Sequence, residues 1–229
     1  MMPMKKKGSF FIFILIIPAF LYNGCRKDEK TSLPLADIEG NTYKTKKIGS
    51  QLWMTENLRS TKLNDGTEIP LTQDPVQWSN LTAPGFCWYN NDPETYRDSY
   101  GALYNGFTVS TGKLCPDGWH IPEKREWVEL RDFLADSLQA GGKLKETGTT
   151  HWLPPNKGAD NSSGFTALGA GFRYFEGSFS SILAFSSIWS ATEAFGNNQW
   201  YIGLYYGDSS FSIDHRNPKH GFSVRCVHD

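Results

Sequence analysis

The clearest hydrophobic pattern in the chain predicts a helix near its middle. Apolar side chains recur there at intervals of three and four residues, at Trp127, Leu130, Phe133, Leu134 and Leu138. Charged residues occupy the positions between them, which is typical of an amphipathic helix. Pro122 suits the first helical position, and Gly141 and Gly142 mark the end. We therefore expect one main helix over residues 123–138.

Shorter runs of β-forming residues, bounded by turn residues, predict strands on both sides of this helix. The runs are 43–49, 51–54, 165–168, 171–174, 187–191, 200–206, 210–214 and 222–227. Residues 73–98 contain three prolines and are expected to be irregular. One helix with a series of antiparallel hairpins predicts an α+β fold. Because no repeat or low-complexity tract divides the region, we expect one domain over 37–229.

Alternation along residues 200–206 predicts a strand with an inner and an outer face. Trp200, Ile202 and Leu204 would face the core, so Tyr201, Gly203 and Tyr205 would face outward. A turn at 207–209 would return the chain along a second strand. The hairpin then predicts an exposed ligand face made of Tyr205, Tyr206, Phe211, His215 and Arg216. Aromatic rings beside hydrogen-bond donors suit a sugar or a protein anchor. The alternative is that the tyrosines cover a second layer of the domain.

Composition excludes several classes of protein. The 229 residues carry 23 Lys and Arg against 24 Asp and Glu, a formal net charge of −1. This balance gives no sign of a nucleic-acid partner. Aromatic residues make up 14%, with 22 Gly and 12 Pro. Such a composition indicates a loop-rich globular domain and excludes a coiled coil, a disordered chain or a polytopic membrane protein.

The N-terminus reads as a lipoprotein signal. Lys5, Lys6 and Lys7 precede an apolar run over 10–21, which is shorter than the ~20 residues that span a bilayer. Residues 21–25 resemble a bacterial lipobox, so we expect cleavage of a signal peptide over 1–24 and lipid attachment at Cys25. The alternative is an ordinary signal peptide with an incidental cysteine.

Residues 25–36 form the expected tether. Lys27, Asp28 and Glu29 resemble the signal that sends Bacteroidetes lipoproteins to the outer face of the outer membrane. The alternative interpretation is a solvated spacer, with the protein facing the periplasm. We expect a lipid-anchored protein of the outer membrane that faces the cell exterior.

The rest of the chain resembles a known family. The resemblance lies in six segments, 37–43, 53–58, 100–105, 114–122, 141–146 and 221–227, which read DIEGNTY, WMTENL, YGALYN, LCPDGWHIP, GGKLKE and GFSVRCV. Together they resemble the Fibrobacter succinogenes major paralogous domain, common in lipoproteins of Bacteroidetes and Fibrobacter. Gly106 departs from the pattern, since the family often has an aromatic residue there. The segments 118–122 and 221–226 are also similar to the C-type lectin-like fold, in which the final strand returns beside the strand that enters the helix.

The resemblance also implies a disulfide. In a lectin-like fold Cys115 precedes the first core strand and Cys226 lies on the last, so these two are expected to pair. Their loop of roughly 110 residues would contribute about 4 to 5 kcal/mol of stability in the chain-entropy model. A Cys87–Cys115 bridge or three buried thiols are the alternatives.

Catalytic and metal chemistry have weak support. Cys115 and His120 flank Pro116, and the other histidines lack paired-ligand spacing, so no zinc site is expected. No cofactor is expected; Ca²⁺ is conceivable at three oxygen-rich stretches, 90–92, 160–162 and 208–210, but such residues also simply build turns.

We therefore expect a non-catalytic binding or adhesion module for a glycan or a surface protein. The competing hypotheses are a structural subunit of a surface assembly and, with less support, an exported polysaccharide hydrolase. An exposed, unpaired edge strand would favour assembly, and an invariant pair of acids would favour hydrolysis. A concave pocket lined by loop aromatics would favour binding.

Overall fold

The computed structural model describes residues 1–4 and 35–228, so the predicted signal, Cys25 and most of the tether lie outside the described residues. The helices and strands of the described residues fall within a unit bounded by Pro34–Asp229. The strands are β1 Leu35–Ala36, β2 Thr42–Tyr43, β3 Thr45–Ile48, β4 Gln51–Met54, β5 Phe86–Cys87, β6 Leu103–Tyr104, β7 Trp119–His120, β8 Ala170–Arg173, β9 Phe179–Ile182, β10 Phe185–Ala194, β11 Asn198–Tyr205, β12 Ser212–Arg216 and β13 Val227–His228. The helices are α1 Pro75–Ser79, α2 Pro93–Tyr100, α3 Gly106–Val109, α4 Lys124–Leu134 and α5 Ala140–Leu144, with short 3₁₀ turns at Tyr89–Asn91 and Phe195–Asn197.

The strands form two larger sheets and two small ones. The order is β12-β11-β10-β8-β9 in the five-stranded sheet and β3-β4-β13-β7 in the four-stranded sheet, with β1-β2 and β5-β6 as two-stranded sheets. Apart from the β8–β10 pair, the neighbouring strands are antiparallel. Helices and mainly antiparallel sheets confirm the α+β prediction. Among the described residues, no helix has the length and apolar character needed to cross a membrane.

The predicted main helix is real, but its C-terminal boundary is wrong. Helix α4 begins with a capping box, in which the Glu123 side chain accepts from the backbone at Glu126 and the Glu126 side chain accepts from the backbone at Glu123. It ends at Leu134 because Ala135 has extended backbone. Leu138 is 71% exposed, so the apolar stripe does not continue to it. The glycines that were predicted to end the helix lie inside α5 instead.

Residues 73–98 are also less irregular than expected. Two Asp-Pro pairs begin short helices here, because each aspartate caps the helix and each proline occupies the first turn. The Asp74 carboxylate accepts from the Gln77 N–H at 2.8 Å, and that of Asp92 accepts from the Thr95 N–H at 3.1 Å. The Asx residues predicted as conceivable calcium ligands at 90–92 thus include a helix cap.

Two of the predicted strands are largely absent. Residues 165–168 contribute a single bridge, between Ala167 and Lys145. Within 222–227 only Val227 belongs to a strand. The segment 222–227 is buried, as are Phe165 and Ala167, and both segments pair through isolated bridges with several different partners and not as regular strands.

The last strand closes the domain. Val227 in β13 pairs with Trp53 on one side and with His120 on the other. A disulfide joins Cys115 to Cys226, with 6.0 Å between their Cα atoms, which confirms the predicted pairing. Cys87 is a buried free thiol.

A buried lysine fastens the loops around α5. Lys145 is fully buried, and its ammonium donates to the carbonyl oxygens of Lys157, Tyr205 and Asp208 at 3.0, 2.9 and 2.7 Å. Its Nζ also lies 5.5 Å from the centre of the Trp152 ring. Burial lowers the pKa of Lys145 to about 8. The second lysine of the GGKLKE segment is therefore a structural crosslink.

Candidate functional site

The structure does not bring the five predicted ligand residues together. His215 and Arg216 lie opposite Trp200 and Gln199, at the start of β11. Tyr205 ends that strand, five residues beyond Trp200, which corresponds to about 17 Å of strand. The single face predicted for the hairpin is therefore two separate regions.

Phe211 is a correction to the predicted site. Its side chain is 3% exposed and lies in the core cluster that includes Trp127, with 6.4 Å between the two ring centres. A ring buried against the helix cannot be part of an exposed ligand face. The side chains of Phe211 and Ile213, which alternate with polar residues in the sequence, both point into the domain.

The predicted outer face of β11 is also mostly covered. Tyr201 is 6% exposed, because it packs against Phe222 with 4.7 Å between ring centres. Ile202 and Leu204 are buried in the other core cluster, so both faces of the strand meet protein. Tyr205 is 40% exposed, and its ring lies 4.6 Å from that of Tyr206. For most of β11, the structure therefore agrees with the alternative interpretation, in which the outer side chains cover a second layer of the domain.

His215 and Arg216 point to opposite faces of the sheet. The His215 ring lies 4.4 Å from Phe195 and 5.3 Å from Trp200. Arg216 lies over the Tyr201 ring at 5.6 Å and forms an ion pair with Asp214 at 2.8 Å. Among the five predicted ligand residues, Arg216 is the one that directly precedes a residue lining a cleft, Asn217.

That cleft, here named the amide cleft, is an open cavity of about 620 Å³. It lies between α3, the turn that joins β10 to β11, and the loop after β12. The side chains that give it its character are Phe107, Glu193, Asn197, Asn198, Gln199 and Asn217. Amide groups dominate, and each amide can donate and accept hydrogen bonds.

Turn chemistry explains why the chain opens a cleft here. Gly196 and Asn197 have positive φ values of 69° and 57°, which reverse the chain between β10 and β11. The Gln199 side chain is fixed in place, because its Nε2 donates a hydrogen bond to the Ser190 carbonyl at 2.8 Å. The signal in the sequence is a Gly-Asn-Asn turn at 196–198 and an Asn-Pro turn at 217–218. Local sequence patterns do not show that these turns are neighbours, because their proximity depends on the pairing of β11 with β12.

Gly106, which begins α3, lies behind the wall that Phe107 contributes to the cleft. Its N–H donates to the Pro218 carbonyl at 2.6 Å. A Cβ atom at this position would lie 2.5 Å from Gln199 Oε1 and 2.7 Å from Pro218 Cβ. The glycine that departs from the family pattern thus lets α3 approach two residues that line the amide cleft.

Charge in the amide cleft is nearly balanced. Glu193 is exposed and carries a carboxylate, while the Lys219 ammonium donates to the Ser79 carbonyl at 2.7 Å. The described part of the chain contains no group of three or more His, Cys, Asp or Glu side chains placed to hold a metal ion. Two further stretches considered for calcium build turns, with the Asp160 and Asp208 carboxylates accepting from the backbone of Ser162 and Ser210. The cleft can therefore hold an uncharged polar ligand by hydrogen bonds.

Comparison with known proteins gives one result. The model of the Fibrobacter succinogenes major domain family matches residues 47–228, whereas the domain boundary predicted from the sequence is residue 37. Comparisons with the curated proteins and with the solved structures find no significant match. Because the matched region covers most of the chain, this protein belongs to the Fibrobacter succinogenes major domain family.

Proposed function

We propose that this protein is a lipid-anchored, non-catalytic surface module that binds a glycan in the amide cleft. The observation that carries the proposal is the lining of the cleft, in which Asn197, Asn198, Gln199 and Asn217 surround a cavity of about 620 Å³. Such a volume accommodates a small oligosaccharide, and convergent amides fix a ligand's orientation.

The chemistry of the lining favours a sugar over a protein anchor. A hydroxyl group both donates and accepts a hydrogen bond, as does a primary amide, so the two match without a change of charge. Phe107 adds an apolar surface on which one face of a sugar ring can rest. Protein interfaces instead draw their affinity from well-packed Trp, Tyr and Arg side chains.

A binding role fits this cleft better than hydrolysis does. Glycosidases commonly use a pair of carboxyl groups that flank the scissile bond. Of the described residues that line the amide cleft, Glu193 alone carries a carboxylate. The cleft therefore lacks the second acid that the usual mechanism requires.

The sheet edge at β12 argues against strand addition at that edge. The His215 N–H donates to the Asp214 carboxylate at 2.8 Å, and the His215 carbonyl accepts from Arg216 at 3.0 Å. The Phe211 N–H donates to the Ser137 carbonyl at 2.7 Å. Backbone groups that an incoming strand would need are thus already occupied, which is a known way to protect an edge.

The C-type lectin-like fold and the membrane anchor belong to the same proposal. Pairing of β13 with β7, next to the Cys115–Cys226 bridge, supports the lectin-like arrangement of first and last strands. The lipobox-like segment ending at Cys25 supports anchoring in the outer membrane, and Lys27-Asp28-Glu29 supports display on the exterior.

A glycan array probed with the labelled full-length protein tests the binding role. We expect selective binding to neutral glycans, followed by measurement of affinity by calorimetry. The double variant Glu193→Ala with Asn198→Ala should weaken binding at least 10-fold, because it removes two polar groups from the cleft. Tyr205→Ala is the control, since this exposed tyrosine lies at the far end of β11.

Two outcomes would contradict the proposal. Failure of the array to show any glycan would remove the ligand class. Unchanged affinity in the double variant, together with a loss in Tyr205→Ala, would move the site to the tyrosine face that the sequence predicts.

A further inference from the structure

Gln199 gives the amide cleft a polar atom whose role is fixed. Pairing with Glu193 on β10 and with Arg216 on β12 holds its backbone, and its side chain is 2% exposed. Its Nε2 donates to the Ser190 carbonyl at 2.8 Å. Exchange of the two amide atoms would bring Oε1 against that carbonyl, and two acceptors cannot form a hydrogen bond. Oε1 is therefore the atom that points away from Ser190, and it can only accept.

This oxygen opens to the cleft and lacks a protein donor. Within the described part of the chain, no group donates a hydrogen bond to Gln199 Oε1. The atom is nevertheless not sealed from solvent, and Gln199 lines the amide cleft. An acceptor held on a nearly buried side chain without a protein donor favours a ligand that supplies the donor.

Apolar atoms adjoin this acceptor. Gln199 Oε1 and Pro218 Cβ lie 2.5 and 2.7 Å from one point, the position that a Cβ on Gly106 would occupy. The Pro218 ring therefore lies directly beside Oε1. Phe107, the next residue of α3, continues the apolar surface with a partly exposed ring that also lines the cleft. The cleft thus places a hydrogen-bond acceptor next to a hydrophobic contact.

An acetamido group complements these two features. In a trans secondary amide the carbonyl oxygen and the N–H lie on opposite sides of the C–N bond, so the N–H lies on the same side as the acetyl methyl group. The N–H can then donate to Gln199 Oε1 while the methyl group packs against Pro218. A hydroxyl group supplies the donor without the methyl group, and an ammonium group must lose hydration beside the apolar surface.

The lining also offers a donor for the acetamido carbonyl. Asn217 Oδ1 accepts from the Lys219 N–H at 2.9 Å, which leaves the Asn217 Nδ2 to donate to a ligand. Asn217 is exposed and adjoins Pro218 in the loop after β12. The cleft therefore contains a partner for each polar atom of the acetamido group.

The geometry points to a glycan that contains an N-acetylhexosamine, whose acetamido N–H donates to Gln199 Oε1 and whose methyl group contacts Pro218. Gln199 is then the residue that determines specificity. This inference rests on the proposed glycan-binding function and narrows its ligand to N-acetylated sugars.

Pairs of sugars that differ in the acetamido group test the inference. The trimer of N-acetylglucosamine and cellotriose share the same linkage and length, and N-acetylgalactosamine with galactose repeats the comparison for the other epimer. Each is titrated into the full-length protein by calorimetry, with the deacetylated glucosamine trimer as the charged analogue. We expect the acetylated member of at least one pair to bind at least about 10-fold more tightly, because a site with a fixed acceptor rejects analogues that do not match it.

A variant and a control assign the preference to Gln199. Gln199→Met keeps the approximate volume of the side chain and removes Oε1, so the ratio of dissociation constants within the pair should fall towards one. Asn198→Ala removes an amide that bonds to the Phe195 carbonyl at 3.4 Å, and it should weaken both members of the pair alike. The ratio is the readout, because a general loss of stability changes both constants together.

Saturation-transfer NMR with the wild-type protein gives a readout that needs no substitution. The acetamido methyl protons should receive the strongest saturation of any protons in the bound sugar, since they lie against Pro218.

The inference is overturned if no acetylated sugar binds more tightly than its partner, if the deacetylated trimer binds as tightly as the acetylated one, or if Gln199→Met keeps the full preference. Methyl protons that receive no more saturation than the ring protons would also contradict it. Binding of cellotriose or galactose in these cases would leave the glycan-binding function intact, whereas failure of that function would appear as an array on which no glycan binds.

Discussion

Arg225 places its guanidinium over the ring of Phe165 and donates a hydrogen bond to the backbone carbonyl of the same residue. The distance from the guanidinium carbon to the ring centre is 4.4 Å. With its bonds to Thr166 and Asn57, this one side chain joins the end of the chain to two internal segments. Burial lowers the pKa of Arg225 to about 9, yet at neutral pH the guanidinium remains charged.

Replacement of Arg225 by methionine should strongly destabilise the domain. The Arg225→Met substitution leaves two buried carbonyls and an amide oxygen without their donor, at about 1–3 kcal/mol for each unsatisfied group. We expect a total loss of at least about 3 kcal/mol, measured by urea unfolding. Arg216→Met is the control, because this exposed ion pair should contribute less than about 1 kcal/mol. Equal losses for the two variants would contradict a structural role specific to Arg225.

Lys145 should titrate well below an ordinary lysine. Burial opposes its charged form and lowers its pKa to about 8, while Asp208 acts in the opposite direction. NMR of ¹³Cε-labelled lysines should show one signal that titrates near pH 8, and the signal should be missing from Lys145→Met. A lysine spectrum in which every signal titrates near pH 10 would refute this.

The sign of the effect on stability follows from the lowered pKa. Between pH 8 and the ordinary lysine value, the unfolded chain binds the proton that the folded protein has released, so this group makes stability rise with pH. Below pH 8 both states are protonated and its contribution is constant. The difference in unfolding free energy between wild type and Lys145→Met should therefore increase from pH 7.5 to 9.5.

Local patterns predicted the elements of this fold better than its site. The strand Gln51–Met54 and the start of α4 follow from side chains that act on their own neighbours, such as the Glu123–Glu126 capping box. The end of α4 does not, since the apolar periodicity continues to Leu138 whereas the helix ends at Leu134 and Leu138 is 71% exposed. Periodicity cannot reveal that outcome, because it depends on the rest of the fold.

The candidate site was harder to predict for a related reason. Alternation along β11 correctly placed Ile202 and Leu204 in the core, whereas Trp200 is only partly buried. The pattern carried no information on the layer that covers Tyr201. The amide cleft joins turns that are about twenty residues apart in the chain, at Gly196 and Asn217. Only the pairing of β11 with β12 brings them together.

The disulfide should provide a large part of the stability. Cys115 and Cys226 are separated by 111 positions, and closing a loop of that length contributes about 4 to 5 kcal/mol in the chain-entropy model. The double variant Cys115→Ala with Cys226→Ala should lose a comparable amount in urea unfolding.

Peptide mapping checks the same bridge chemically. Burial raises the pKa of Cys87 to about 12, so iodoacetamide at pH 8 should leave it unmodified in the folded protein. In urea without reductant, Cys87 should be alkylated while the Cys115 and Cys226 peptides remain joined. A Cys87–Cys115 peptide would contradict the structure.

Lipid attachment at Cys25 remains a prediction from the sequence. Wild-type protein expressed in its host should incorporate labelled palmitate and fractionate with membranes, and Cys25→Ala should do neither. Replacement of Lys27, Asp28 and Glu29 by alanine should keep the lipid anchor but abolish display on the cell exterior. A protease added outside the cells should then no longer cleave the domain. A Cys25→Ala protein that still takes up palmitate would locate the lipid elsewhere.

Gly106 offers the sharpest test of how the amide cleft is built. Alanine is favoured over glycine within a helix by roughly 1 kcal/mol, so propensity alone predicts that Gly106→Ala would stabilise α3. The added Cβ would, however, lie 2.5 Å from Gln199 Oε1 and 2.8 Å from Pro218 Cα. Overpacking of this kind costs about 1–3 kcal/mol, so we expect the clash to outweigh propensity and to lower the melting temperature.

The same substitution should weaken glycan binding at least 10-fold, because Gln199 or Pro218 must move and both line the amide cleft. Gly112→Ala is the control, since a Cβ there meets nothing within 4 Å and the cost arises only from its positive φ of 67°. That variant should lose roughly 1–2 kcal/mol of stability while binding normally. If Gly106→Ala binds and melts like wild type, α3 does not form a wall of the cleft. If both variants lose binding equally, reduced stability and not the shape of the cleft accounts for the loss.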